Sequence, residues 1–406
     1  MSNNTSAANP ELWSMTLEET LKKSTLFREI ASFKEQTGLT YGDTIHRPYA
    51  SDVSVDTYVP GTASTAQDIT ITDNSMTLDR FSIANVYVDD TEGIQSKYDL
   101  MAKYVEQMRK ALAIDQDSHF LLEIRNAVTD VDNNDMAGGT AGDAFALTSS
   151  NVLDMFTMAD KYLRKQNAED GQKFAVLTPG AIQKLVTYLG GKYTQLGDEY
   201  TKYGYRPKLL FQDFIVYSSN NLPYSATWTP ANNPSNSDTI TIDGVTFTFV
   251  STIGTTAGNV LQTTNTATTL LALQTLINNK GVGDGVNSVS VSAANKRKVR
   301  NWYATVDNAT TPTNITVWVG GKSTSVTVAA SEVNDPWSNE TLHQFFGIKG
   351  CTDMVIQKEV NVEKARQASN GKLGSTYLVS SIYKAKTFYE GTYKMIDVKV
   401  TEATGA

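Results

Sequence analysis

The chain has 406 residues, 40% of them hydrophobic, enough for two or three domains with real cores and too apolar for wholesale disorder. Its formal net charge of -8, without a basic tail or stripe, argues against a dedicated nucleic-acid binder, whose affinity comes mainly from neutralising phosphates. Cys351 is the only cysteine, which excludes an intrachain disulfide and four-cysteine or Cys/His metal sites. No apolar run approaches the ~18–20 residues of a membrane span. The opening MSNNTSAANPELW lacks the basic-then-apolar order of a signal peptide, so synthesis in the cytoplasm is expected.

Residues 1–9 are small and polar. From Pro10 to Phe33, the spacing of Leu12, Trp13, Leu17, Leu21, Leu26 and Ile30 predicts an amphipathic helix with a break near Ser24 and Thr25. Leu12 and Trp13 need cover, from their own domain or from a neighbouring subunit. Gly42-Asp43-Thr44-Ile45-His46-Arg47-Pro48 reads as a turn running into a strand. Tyr49 to Ser75 then predicts a long two-stranded hairpin. Val53, Val55, Tyr58 and Val59 precede a Pro60-Gly61 turn, and Ile69 and Ile71 alternate after it. An isolated hairpin is marginal in water, so this one is expected to lie across another surface.

Phe81, Ile83, Val86 and Val88 predict an apolar strand leading into Asp89, Asp90, Thr91 and Glu92, residue types that helix N-termini favour. Ile94, Tyr98, Met101, Val105, Met108 and Leu112 mark one helix face, and the stripe then moves to Ala111, Ile114, Ser118, Leu121 and Leu122. A helix from Glu92 to Arg125 would be roughly 50 Å long at ~1.5 Å per residue, longer than a compact domain needs. It reads as a spine. Asp130 to Asp143 reads as a loop. Thr148 to Lys165 predicts a helix, with Val152, Met155, Phe156, Ala159 and Leu163 on one face behind a Thr/Ser cap. Lys173 to Leu177 is a short buried strand. Thr178-Pro179 opens a helix through Leu189 that Gly190-Gly191 ends. Lys208 to Tyr217 and the Asn220-Asn221-Leu222-Pro223 turn bring the chain to a boundary.

From about Tyr224 to Trp337, Thr, Ser and Asn dominate and charges thin out. Strand patterns occupy Thr239 to Val250, Ser288 to Ser292, Ile315 to Val319 and Ser325 to Val328. Asp243-Gly244 is a hairpin signal. Helices are expected from Leu270 to Ile277 and from Ala293 to Tyr303. The segment reads as a small α+β domain inserted into the parent fold, whose texture resumes at Gln344-Phe345-Phe346-Gly347. Strands from Val355 to Val362, Ser375 to Phe388 and Tyr393 to Val400 complete the chain.

Catalytic chemistry does not emerge. His46, His119 and His343 are scattered without metal-ligand spacing. Gly320-Gly321-Lys322-Ser323 resembles the end of a phosphate-binding loop, but Thr316 stands where the pattern needs its first glycine. Asp89, Asp90 and Glu92 have no partner nucleophile. Lys296-Arg297-Lys298-Val299-Arg300-Asn301-Trp302, the one basic run, reads as a solvated helix face. No G-x-S-x-G is present. No catalytic, cofactor-binding or metal-ligating residue is therefore assigned.

The order of these elements resembles the major capsid proteins of tailed bacteriophages with the HK97-type fold. The N-terminal helix, the Gly42-Asp43-Thr44-Ile45 turn and the hairpin arrive in sequence. The strand into Val88-Asp89-Asp90 and the helix with Ala111-Leu112-Ala113-Ile114-Asp115 follow. Leu177-Thr178-Pro179-Gly180 and Ser218-Ser219-Asn220-Asn221-Leu222-Pro223 are similar to axial elements of short-tailed-phage coat proteins, several of which carry an insertion. The resemblance implies an α+β chain divided into an N-terminal arm (1–40), an extended loop (41–80) and a peripheral domain with the spine helix (81–170). The first axial part (171–223), the insertion (224–337) and the return strands (338–406) follow.

The resemblance implies pentamers and hexamers of an icosahedral shell around double-stranded DNA that is enclosed without sequence-specific binding. Leu12, Trp13, Leu17, Val55, Tyr58 and Val59 are the expected subunit-interface residues. Some family members cross-link through a loop lysine, but no lysine lies between Lys34 and Lys97, so a non-covalent lattice is expected. Only about ten residues precede the first predicted helix, where some members carry a removable scaffolding segment. A separate scaffolding protein, a portal and a decoration protein are the implied partners, in a virion and not at a membrane. An encapsulin-like compartment and a Thr/Ser-rich surface-layer or adhesin protein are the competing readings.

Overall fold

The computed structural model describes residues 23–35, 42–63, 66–91, 100–168, 170–192, 208–322, 328–330, 337–366 and 373–401. A ten-stranded mixed sheet carries most of the core. Its main path runs Trp302–Val306, Ile315–Val319, Tyr224–Trp228, Trp337–Ile348, Lys173–Leu177, Phe214–Ser218, Leu209–Phe211. Met395–Thr401 pairs with Trp337–Ile348 and also with the short strands Thr129–Val131 and Phe145–Ala146. The long strand serves several partners: Leu342 lies opposite both Tyr224 and Val400, while Phe346 lies opposite both Ala175 and Ile396.

Both faces of this sheet are covered, which is why Lys173–Leu177 is buried at every position. Successive side chains of a strand alternate between faces. Ala175 and Leu177 accordingly join one apolar cluster and Phe174 and Val176 the other. The first cluster is roofed by the helices Val152–Lys165 and Pro179–Gly190, whose buried positions match the spacing in the sequence. Phe156 meets the rings of Phe211, Phe214 and Phe346 edge-on at 4.9–5.8 Å. Thr178 caps the second helix through its hydroxyl, with Pro179 at its first position. At the first helix, Thr148 and Asn151 bond reciprocally, each side chain to the other's N–H. The second cluster packs Phe27, Ile30, Phe120, Leu121 and Tyr383 against the opposite face.

The chain divides into two compact units. One holds Arg80–Ala113 and Lys358–Ile382; the other includes Lys23–Asp79, Ile114–Gln357 and Tyr383 onward. In the first, Met108, Leu112, Tyr377 and Val379 form a small core with Ala84, Val86, Val88, Val105 and Val362. The strands Asp353–Arg366, Gly374–Lys386 and Arg80–Asp89 make a three-stranded sheet. Phe81 and Ile83, expected as part of an apolar strand, are more than half exposed, because Arg80, Ser82 and Ala84 take the inner face. The Asp89 carboxylate accepts from the N–H and hydroxyl of Thr91, as expected of an acid at a helix start, and those bonds lower its pKa. The spine is helical over Leu100–Leu121 and tightens to a 3-10 turn over Leu122–Asn126; residues 92–99 lie outside the described set.

Three sequence expectations are revised. Asp130 to Asp143 is not a plain loop: Thr129–Val131 is a strand, and Asp132 caps the short helix Asn133–Ala137 by accepting from Asn134 and Asp135. Ser288 to Ser292 forms no strand, only a bridge between Ser288 and Val260. The helix expected to reach Tyr303 stops at Val299, because Trp302–Val306 pairs in register with Ile315–Val319. Residues 224–337 are distributed over two sheets. Tyr224–Trp228, Trp302–Val306 and Ile315–Val319 belong to the ten-stranded sheet. Thr239–Ile242, Val245–Val250, Asn259–Leu261 and Val328–Ala330 form a four-stranded one.

Candidate assembly surface

The extended loop is a hairpin at its base. Thr44–His46 pairs with Ser75–Thr77, and Tyr49–Ala50 pairs with Ile71–Thr72. Beyond that the backbone ladder gives way to side chains. Ser51 N–H bonds to Thr70 O, and the Gln67 amide spans the two arms, accepting from Ser54 N–H and donating to Ser54 O. At the tip, Thr62 N–H bonds to Val59 O with Pro60 second and Gly61 third at φ +85, the requirements of a type II turn. A Cβ-bearing residue is strained at that φ, so the Pro60-Gly61 pair sets the reversal.

Apolar side chains on this hairpin have nothing to cover them within the described chain. Val55 is 98% exposed, Tyr58 70% and Val59 58%, and Val53, Ile69 and Ile71 are exposed with them. Sequence reasoning singled out the first three; the alternation of Val53, Ile69 and Ile71 carried the same signal. Leu12, Trp13 and Leu17 lie outside the described residues. The hairpin is also acidic: Asp52, Asp56, Asp68 and Asp73 occur with no lysine or arginine between Arg47 and Arg80.

The base of the hairpin is held firmly. Arg47 reaches the buried Asp353 at 2.9 Å and lies 5.1 Å over the Phe388 ring. Tyr49 stacks on Tyr389 with centroids 4.3 Å apart and planes 3° from parallel. His46 Nδ1 lies 2.7 Å from Asp73 across the two arms. A fixed base and an uncovered apolar tip suit a structure that reaches beyond its own chain.

Under the sheet, the end of the spine helix forms a polar hub that the sequence did not reveal. Asp115 accepts from Tyr383 Oη at 2.6 Å and Asn301 Nδ2 at 2.9 Å, and Arg300 lies 3.2 Å away. Asp117 accepts from the N–H groups of Leu26 and Phe27 and from Asn221 Nδ2. Burial raises the Asp117 pKa above its ordinary value, and these bonds only partly offset it. Arg300 is thereby an anchor within the basic run. Lys298 donates to Asp243 O, and Arg297 remains an exposed residue as expected.

No protein-family model and no curated protein matches the sequence. Solved structures do. One from Mycobacterium phage Che8 aligns with a TM-score of 0.58 at 14% identity, covering 97% of this chain and 98% of its own. The capsid structure of cyanophage P-SCSP1u aligns at 0.54 and 13% identity, covering 99% and 96%. The mature capsid of bacteriophage PhiM1 aligns at 0.50 and 11% identity, covering 97% and 93%. This is the fold of phage capsid proteins.

Within the capsid fold, the features that mimic enzyme sites have structural explanations. Gly320 and Gly321 recur because the chain passes close to its neighbours: a Cβ on Gly320 would meet Asn301 O at 2.7 Å, and one on Gly321 would meet Ser118 Oγ at 2.9 Å. His343 donates or accepts at Asp397 through Nδ1 and at Ser225 through Nε2, both at 2.8 Å, in the hydrogen-bonding order of a hydrolytic triad. All three side chains are buried on adjacent strands, and Trp318 stacks on the imidazole at 4.1 Å. A substrate would have to part the sheet to reach Ser225. The three residues tie strands together. Among the described residues, no group of His, Cys, Asp and Glu could hold a metal ion.

Proposed function

We propose that this chain is a major capsid protein of HK97-type architecture, building pentamers and hexamers of an icosahedral phage head that encloses double-stranded DNA. The observation that carries the reading is the end-to-end likeness to capsid structures, with 93–98% of those chains covered. The apolar hairpin supports it, because side chains such as Val55 have no cover among the described residues and another molecule supplies it on this reading. The hairpin lies over an adjacent subunit, and the N-terminal arm buries Leu12, Trp13 and Leu17 at a subunit boundary. Such contacts between unlike patches close into rings and shells when the rotation permits. Residues 224–337 act as an insertion on the parent fold. A separate scaffolding protein and a portal complete assembly in the host cytoplasm, and decoration proteins join the finished virion.

The test is electron microscopy of the purified protein, expressed alone and with candidate scaffolding partners. Closed shells or regular capsomers are expected from the full chain. Deleting residues 50–75 removes the exposed tip but little of the core, so the variant is expected to fold and to form no stable shell. Normal shells from that deletion would overturn the role of the loop, and native particles lacking this chain in their shell would overturn the function.

A further inference from the structure

Lys23–Ala31 crosses the larger unit as a segment with two different kinds of attachment. Phe27 and Ile30 are apolar plugs, each 1% exposed, seated in the cluster with Phe120, Phe174 and Tyr383. The N-terminal attachment is largely polar, with Leu26 packed at the edge of the same cluster. Lys23 Nζ donates to Asn220 O at 2.7 Å and to Gly321 O. Asn221 Nδ2 bridges Ser24 O at 3.1 Å and Asp117 Oδ2 at 2.7 Å, while Asp117 Oδ1 receives the Leu26 and Phe27 N–H groups at 2.7 and 2.8 Å. At the far end, Ser32 joins Thr352 and Met354 through backbone bonds.

We propose that Lys23–Ala31 is a strap that opens and closes as one unit, with Asp117 and Asn221 as its latch, while the ten-stranded sheet stays folded. The proposal goes beyond the capsid reading and does not depend on it. A latch made of charged and polar groups is cheap to open, since Asp117 and the Leu26 and Phe27 N–H groups it holds are hydrated when they part. Hydrogen bonds lost on opening are largely replaced by bonds to water, whereas apolar contacts in the sheet have no such compensation. Lys23, whose positive charge favours the Asp117 carboxylate, is on the strap itself, so latch and charge compensation are lost together. Breaking any one latch bond leaves another buried polar group unpaired, which makes the opening cooperative along the segment.

Hydrogen exchange on the full-length protein tests this. The Leu26, Phe27 and Ile30 region is expected to exchange at one common rate, at least about tenfold faster than the buried strand Lys173–Leu177, as a separate opening unit does. Asp117→Asn keeps the shape of the latch but sets one amide donor against the Asn221 donor. It should speed exchange of the strap at least about tenfold further and leave Lys173–Leu177 unchanged. Asn221→Ala should do the same, and both should hasten tryptic cleavage after Arg28. Exchange of the wild-type strap at the rate of the core strand would overturn the proposal, even if neither variant folds. Equal acceleration of strap and core in the variants would overturn it too.

Discussion

Asp115 and Asp117 stand two residues apart on one helix and organise different parts of the chain. Their partners lie as far as 268 positions away in sequence, which is why nothing local marked them. In the sequence they belong to a polar patch that interrupts the apolar stripe at Ile114, Ser118 and Leu121. The fold turns that patch inward and satisfies it with Tyr383, Asn301, Asn221 and backbone N–H groups. Asp160 is a different kind of carboxylate, a quarter exposed and beside the buried Lys173. Burial opposes its charge, but bonds from Lys173 at 2.7 Å and Arg164 at 2.8 Å outweigh that and hold its pKa below the usual carboxylate range. A depressed folded pKa stabilises above the ordinary value, and that stability is lost as pH falls through the folded one. Asp160→Asn should therefore cost about 1–2 kcal/mol near neutrality, less than the ~3–5 kcal/mol of a fully buried pair. Urea titrations of both proteins should show the gap closing as the medium is acidified below the unfolded carboxylate range. A gap constant with pH would mean that the Asp160 charge is not what matters.

At the scale of elements, the two amphipathic helices on the sheet were legible, as was the Thr178 cap, whereas the Thr/Ser cap expected at Thr148 is not made on the helix itself: it starts at Val152, and Asn151 before it makes no side-chain cap bond. Val152–Lys165 buries the residues its periodicity names, and Pro179–Gly190 starts and stops where Thr178-Pro179 and Gly190-Gly191 indicate. The segment after Ser292 was not, since Lys296 to Tyr303 contains no helix breaker and local propensity favours helix. The ladder with Ile315–Val319 overrides that preference from Trp302 onward. Trp302–Val306 ends the main path of the sheet, and an open edge invites pairing with another chain. The helix Thr266–Asn278 meets that hazard. Asn278 imitates a neighbouring strand, accepting from Ala304 N–H at 2.8 Å and donating to Ala304 O at 2.9 Å. Asn278→Ala should cost about 1–3 kcal/mol for the backbone groups left wanting. Light scattering at rising concentration should also detect chain-to-chain association that the parent protein does not show. Loss of stability without association would mean that Asn278 supports the strand but does not guard it.

At the scale of the whole molecule, the order of elements was legible although sequence identity to the similar structures is 14% or less. Hairpin, strand and spine follow one another because each has its own local signal: a turn, an alternation or a helical stripe; the arm before Lys23 lies outside the described residues. The division of residues 224–337 was hidden, because Tyr224–Trp228 and Ile315–Val319 look in sequence like any strands of a small domain. Only pairing with Trp337–Ile348 and with each other assigns them to the main sheet. The same scale decides how a shell of these subunits would hold together. The loop has no lysine, and its exposed side chains include Val53, Val55, Tyr58 and Val59 beside hydroxyls and carboxylates. Isopeptide chemistry from the loop therefore has no amine to use, and its apolar side chains contribute adhesion through area removed from water, at ~25 cal/mol per Å2. Assembled particles boiled in detergent should run as a single 44.3 kDa species. Replacing Val55 and Tyr58 together with aspartate should abolish assembly while shifting the stability of the isolated subunit by no more than about 0.5 kcal/mol, since both side chains are exposed. A ladder of covalent oligomers, or shells that tolerate both charges, would show that the loop is not the apolar clasp its exposure indicates.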